Sequence, residues 1–231
     1  MPYIQSMCPS ELEDALKKKS PLFISAGSVE YHGSQLPLGT DLLIIEGLLR
    51  EIEKRVPIVI APPFTYSPTG YMVSGTDKGT VDISVDGFVN YCSEILSAYV
   101  KMGFETIYLL VHHQGGSVGS MLQTAALKIN AYDLYRELGE GWWTDGVKQK
   151  SPCRIEVAGA LFGDDVLDAF GGHGGKGETQ AIMAFYPELV HMEKLTEDEP
   201  FWNETVNEAN VANARNAMEK LVSAWVEKLK D

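Results

Sequence analysis

Side chains able to bind a cation or move a proton fall into four short stretches of this sequence. Glu30 and His32 stand two apart just after an apolar run, and in extended backbone they project to the same side. Asp41, at the start of a helical pattern, can swing back towards them. Two carboxylates and an imidazole suit a borderline divalent ion such as zinc or manganese. The same pair also fits a surface carboxylate beside a hydrogen-bonded histidine. His113 follows a second apolar run and is followed closely by Gly115-Gly116, a placement for backbone that comes near a ligand. Its neighbour His112 is expected to point the other way if strand geometry persists, so at most one of the two is a direct ligand. A structural histidine is the other reading of His113. His173 and Glu178 lie in Gly-Gly-His-Gly-Gly-Lys-Gly-Glu-Thr, from Gly171 to Thr179. A flexible or closely approaching loop of this kind suits proton transfer to a substrate; a plain glycine-rich turn is the alternative. His191, Trp202 and Trp225 read as packing residues, and Trp142-Trp143 either cover a pocket or anchor a loop.

Each stretch needs an element to hold it. Ser10 with Glu11 and Glu13 reads as a helix start, and Pro21 ends that helix. Leu22 to Ala26 is a short buried strand. Asp41 to Arg55 has apolar residues at helical spacing, and Pro57 to Ala61 is a second strand stopped by Pro62-Pro63. Residues 64 to 81 read as a long loop of the kind that usually serves function. Then come a helix from Val85 to Lys101, a strand from Thr106 to Val111, a helix from Ser117 to Leu138 and a strand from Ile155 to Leu161. A helix from Glu178 to Phe185 and a last one from Glu204 to Lys230 complete the pattern. Alternating strands and helices predict βαβ units: a largely parallel sheet with helices on both faces, and ligands beyond the C-terminal strand ends. The polar clusters all follow such ends.

Bulk properties exclude several roles. The chain has 231 residues, 45% of them hydrophobic, with a formal net charge of −13, which suits one domain over residues 1–231. That charge argues against a nucleic-acid backbone or an anionic membrane as partner. The three cysteines, Cys8, Cys92 and Cys153, form no CxxC pair. Neither a signal peptide nor an uncharged apolar run of roughly 18 residues is present, so a cytoplasmic location is expected.

Gly27-Ser28-Val29-Glu30-Tyr31-His32-Gly33, followed by Leu36-Pro37-Leu38-Gly39-Thr40-Asp41, resembles the creatininase signature G-S-x-E-x-H-G with L-P-x-G-T-D. His173-Gly174-Gly175 with Glu178-Thr179 is similar to the later H-A-G-x-x-E-T motif, and Pro187 to Val190 follow as they do in that family. The resemblance implies a three-layer α/β/α sandwich, commonly hexameric, with two divalent ions (zinc, manganese or iron). It implies Glu30, His32, Asp41, His113 and Glu178 as metal ligands, with Asp41 bridging, and His173 as the acid/base residue, able when protonated to stabilise an oxyanion or donate to the leaving group. Lys176, Gln114 and Trp143 are the candidate substrate contacts. The chain departs from the family in its central motif, usually N-G-H-G-G-N but here His112-His113-Gln114-Gly115-Gly116 after Val111; aligning the glycines would put Gln114 at the ligand position. Gly115 stands where creatininase has a glutamate, Lys176 where many relatives have one, and residues 64 to 81 lack the usual S-x-E-H. The expected activity is hydrolysis of the C–N bond of a small cyclic amide or formamide. Cleavage of an inositol-derived cyclic diketone is the alternative within the family, and an inert metal-binding subunit the alternative outside catalysis.

Overall fold

The computed structural model describes residues 3–113, 117–138, 153–196 and 199–230. Among them are four strands, β1 (Leu22–Ala26), β2 (Val59–Ile60), β3 (Thr106–Val111) and β4 (Arg154–Gly159), all paired in parallel in the order β2-β1-β3-β4. Every residue of β1 is buried, as a strand central to a parallel sheet requires. Helices α1 (Pro9–Lys17), α2 (Thr40–Glu53), α3 (Val85–Met102), α4 (Val118–Leu138), α5 (Asp164–Phe170), α6 (Lys176–Phe185) and α7 (Val211–Lys228) flank the sheet.

Strand alternation divides the core in two. Phe23, Tyr108 and Leu110 face one side, against Ile45 and Leu48 of α2, Ile182 of α6 and Trp225 of α7. Leu22, Ile24, Ile107 and Leu109 face the other, against Phe88 and Leu96 of α3 and Leu122 of α4. The result is the expected α/β/α sandwich. Trp225, fully buried, meets the rings of Phe23 and Tyr108 edge-on and donates its indole N–H to the Ala160 carbonyl at 3.0 Å, so its one polar atom is satisfied.

Connections leaving β1 and entering β3 run in opposite directions. The first passes through α2 to β2 at the sheet edge; the second returns through α3, beyond β1, to β3. Such a reversal opens a crevice between the C-terminal ends of the two adjacent strands. Leu22 to Ala26 pair in register with Ile107 to Val111, so β1 and β3 end at the same level.

Several boundaries differ from expectation. Helix α1 is capped at Cys8 rather than Ser10, because Pro9 suits the first helical position and the Cys8 N–H donates to Glu11 Oε2 at 2.8 Å. The second strand keeps only Val59 and Ile60. The last helix begins at Val211, where the Asn210 side chain accepts from the N–H groups of Ala212 and Asn213. The residues ahead of it form 3₁₀ turns at Phe201–Asn203 and Val206–Glu208. Asp164–Phe170 forms a short helix that the spacing did not indicate.

Candidate metal centre

The crevice collects side chains from four places. Glu30 and His32 follow β1, Asp41 sits in the first turn of α2, His112 and His113 end β3, and Glu178 sits in the first turn of α6. All six are buried. A helix N-terminus favours negative charge, so Asp41 and Glu178 are placed where an ionised carboxylate is best tolerated.

Three donor groups overlap there. Glu30, Asp41 and His113 form one, His32, Asp41 and Glu178 a second, and Glu30, His32 and the half-buried His173 a third; in each, one candidate ligand atom per residue lies within 4.8 Å of the rest. Asp41 belongs to the two that are fully buried. His113 Nδ1 is 3.1 Å from Asp41 Oδ2 and 3.3 Å from Glu30 Oε2, while its Nε2 faces the Pro68 carbonyl at 3.4 Å. Pro68 lies in the loop of residues 64 to 81. That loop is held by the Asp82 carboxylate, which accepts from the Thr69 and Gly70 N–H groups at 2.6 and 2.9 Å. It is also held by Ser67 Oγ, which donates to the Gly27 carbonyl at 2.7 Å.

His32 gives the most direct test of whether these residues fit a cation. Its Nδ1–H donates to the Glu30 carbonyl at 2.9 Å, which fixes the tautomer and leaves a lone pair on Nε2. That Nε2 is buried without a hydrogen bond, 3.4 Å from Asp41 Oδ1 and 3.7 Å from Glu178 Oε2. Leaving a buried polar atom unpaired costs about 1–3 kcal/mol. A carbonyl on one ring nitrogen and an open lone pair on the other, aimed between carboxylates, is the arrangement of a metal-binding histidine. The donor set therefore fits divalent ions.

Protonation follows the same charge excess. Burial lowers the pKa of His32, but the carboxylates of Glu178 and Asp41 outweigh it and raise the value to about 9. Burial is likewise outweighed at His113, where hydrogen bonds to Asp41 and Glu30 raise it to about 10. Burial would raise the carboxyl groups of Asp41 and Glu178, yet the neighbouring imidazoles hold Asp41 well below, and Glu178 below, the usual range. Without a cation, protons on the histidines balance the cluster.

His173 is half-buried at the rim. Its Nε2–H donates to the Tyr31 carbonyl at 3.0 Å, and its ring lies 4.3 Å from that of His32 and 4.8 Å, edge-on, from that of Trp202. Burial and the neighbouring His32 charge lower its pKa, so it favours the neutral form, the form that accepts a proton. Gly174 has φ +63°, and a Cβ there would lie 2.2 Å from the Trp202 ring and 2.7 Å from the His32 carbonyl. The buried Gln35 amide donates to the Gly174 carbonyl at 2.6 Å and accepts from Asn203 Nδ2 at 3.1 Å, tying this turn to the segment bearing Trp202.

Glu30, His32, Asp41, His113, Glu178 and His173 are thus brought together. Lys176 is not. Its Nζ lies 3.8 Å from Glu208 Oε2, and it lines a separate surface groove with Asp165, Asp168 and Lys220, because the first turn of α6 carries it away from Glu178. Gln114 and Trp143 lie outside the described residues, as do Gly115 and Trp142. Two participants were missed. His112 was expected to point away, yet β3 ends at Val111, alternation stops, and its Nε2 reaches Glu178 Oε1 at 2.9 Å. Ser28 Oγ donates to Asp41 Oδ2 at 2.6 Å; its place in the G-S-x-E motif was the available signal.

Overlapping carboxylate–imidazole groups at the switch point of a parallel sheet define an α/β protein with a candidate divalent-metal centre, and the family it matches makes it a metal-dependent hydrolase. The chain belongs to the creatininase family, whose signature, described as creatinine amidohydrolase, matches residues 5–227. It is 23% identical over 231 aligned residues to the 3-dehydro-scyllo-inosose hydrolase of Thermotoga maritima, covering 96% of this chain and 68% of that one. It is 21% identical to the creatinine amidohydrolase of Pseudomonas putida, covering 78% of this chain and 69% of the other. Among solved structures, a tryptophan-to-phenylalanine variant of creatininase superposes with a TM-score of 0.81 at 14% identity, over 100% of this chain and 98% of that one.

Proposed function

We propose that this protein hydrolyses the C–N bond of a small cyclic amide or formamide at a site for two divalent ions. The observation that carries the reading is the pair of buried donor groups sharing Asp41. Glu30, Asp41 and His113 would hold one ion, and His32, Asp41 and Glu178 the other. Such ions would supply a water nucleophile at neutral pH and polarise a carbonyl. His173 moves the proton. With Nε2–H engaged by Tyr31, its Nδ1 carries the lone pair that takes a proton from water and returns it to the leaving nitrogen. Trp202 and the Gln35 clamp keep that ring in place.

A second reading is cleavage of a C–C bond in a cyclic diketone. It needs the same nucleophile and polarised carbonyl but no protonated amine, and it is favoured by the match to the Thermotoga maritima enzyme over 96% of this chain. Zinc, manganese or iron all suit the donor types; structures described as a zinc–zinc type and a manganese form of creatininase share the fold, with TM-scores of 0.77 and 0.76. Among the described residues no helix is long and apolar enough to cross a membrane. A cytoplasmic location, a single domain and a homo-oligomeric assembly, a hexamer by family resemblance, complete the proposal.

Elemental analysis of protein purified without chelator, beside a Glu30→Gln, His32→Ala variant, tests the site. One to two equivalents of transition metal in the parent and loss in the variant are expected. Metal-free parent protein, even after reconstitution, would instead favour an inert subunit. Turnover of cyclic amides with release of ammonia or amine supports the first reading; clean turnover of a cyclic 1,3-diketone without it supports the second.

A further inference from the structure

His112 belongs to none of the donor groups, and its hydrogen bond to Glu178 gives it a direction. A carboxylate can only accept here, so the 2.9 Å contact to Glu178 Oε1 places the ring proton on Nε2. Where cations rather than a second ring proton balance the neighbouring carboxylates, Nδ1 holds a lone pair. It has no hydrogen-bond partner among the described residues, and it is not among their sealed, unpaired atoms either. His112 also lines a cavity of about 400 Å³ at the strand ends, a size for a small molecule. His173 stands in the same wall, Leu161 and Leu167 supply apolar surface, and Gly171 and Gly172 bring backbone close. An apolar wall with two imidazoles beside a carboxylate–imidazole cluster is a seat for the flat face of a ring whose carbonyl is held at the cluster.

We propose that His112 is a substrate-contacting, specificity-determining residue: Nε2–H holds Glu178, while Nδ1 accepts a hydrogen bond from a hydroxyl or N–H group next to the reacting carbonyl of a small ring substrate. This rests on the metal-hydrolase reading of the site. The consequence is selection for ring compounds with a donor beside the carbonyl, such as hydroxylated ring ketones or cyclic amides bearing N–H, over the bare ring. Sites built to bond a substrate donor discriminate strongly against analogues lacking it, because the buried acceptor is then left unpaired.

Two substitutions separate the roles of the ring. In His112→Gln the amide nitrogen falls near the place of Nε2, so the bond to Glu178 is kept and the atom at Nδ1 is lost. In His112→Asn a polar atom remains near Nδ1 and the reach to Glu178 is lost. Zinc-loaded parent and variants are titrated calorimetrically with scyllo-inosose, creatinine and cyclohexanone, and zinc retention is followed by chelator competition. The parent is expected to bind scyllo-inosose or creatinine at least about tenfold more tightly than cyclohexanone, a factor one good hydrogen bond can supply. The Gln variant should keep its zinc and lose that preference; the Asn variant should hold zinc about tenfold or more less tightly. A preference that persists in the Gln variant, or is absent from the parent, overturns the inference while leaving the metal site intact. Unchanged zinc retention in the Asn variant overturns the role assigned to Nε2. A parent that takes up no zinc fails at the earlier step and removes both readings together.

Discussion

Asp41 is the residue shared by the two fully buried donor groups, and its surroundings are arranged accordingly: a helix N-terminus behind it, Ser28 Oγ on Oδ2, and His32 and His113 on either side. Asp41→Asn is therefore expected to abolish binding of both ions, whereas Glu30→Gln weakens the first group and His32→Ala the second. Metal equivalents per chain distinguish the three. Proton linkage gives a separate test on metal-stripped protein. His32 and His113 have folded pKa values of about 9 and about 10, above the ordinary 6.5. Stabilisation from their protonated forms is complete below the unfolded value and is lost as pH rises through the folded values. The thermal midpoint of stripped protein should thus fall between about pH 7 and 10. In the loaded protein ions replace those protons, and this decline should disappear. Glu30, His32 and Asp41 were legible because a strand end followed by a helix start sets their directions locally. His112 was misread because strand alternation was carried one residue past the point where β3 stops. The seating of His173 on Tyr31 and Trp202 joins positions far apart in the chain, which no local period encodes.

Among the elements, the crossing of α2 and α6 sets the distance between Asp41 and Glu178. Gly47 lies at that crossing, and a Cβ there would sit 2.5 Å from Phe185. Gly47→Ala should destabilise the fold by about 1–3 kcal/mol through overpacking, read as a lower denaturant midpoint. It should weaken metal binding too, since the helix bearing one carboxylate must shift relative to the helix bearing the other. The loop of residues 64 to 81 makes a contrasting case. Asp82→Asn removes the charge that gathers the Thr69 and Gly70 N–H groups, and should alter global stability little. It should still loosen metal at the His113 group, because Pro68 supports that ring. Chelator competition checks this. Among the described residues, sequence pattern located all four strands and most helices, since the two apolar faces of a sandwich leave periodic marks. Element ends were less legible: the cap at Cys8 depends on Pro9, and the 3₁₀ turns before α7 pack against the site rather than continue a helix.

For the molecule as a whole, a metal bound among the buried carboxylates would contribute to folding stability. Free metal at 100 times its dissociation constant adds about 2.7 kcal/mol per site. Chelation should lower the unfolding temperature in a concentration-dependent way, and the Asp41→Asn variant should show no such response; scanning calorimetry across a metal series tests both. The three-layer fold was readable from the alternation of strands and helices, while the substrate was not, because the cavity walls are assembled from residues after β3, after β4 and before α6. The spread of donors along the chain also sets an order of events during synthesis. Glu30, His32 and Asp41 leave the ribosome early, His113 much later, and Glu178 only with α6. A nascent chain halted before α6 lacks a member of the second donor group, so two-ion capture can only follow completion of that helix. On the two-ion reading proposed above, capture of the second ion waits for α6 but not for α7, and ribosome-stalled fragments ending before residue 176 should fail to retain that ion.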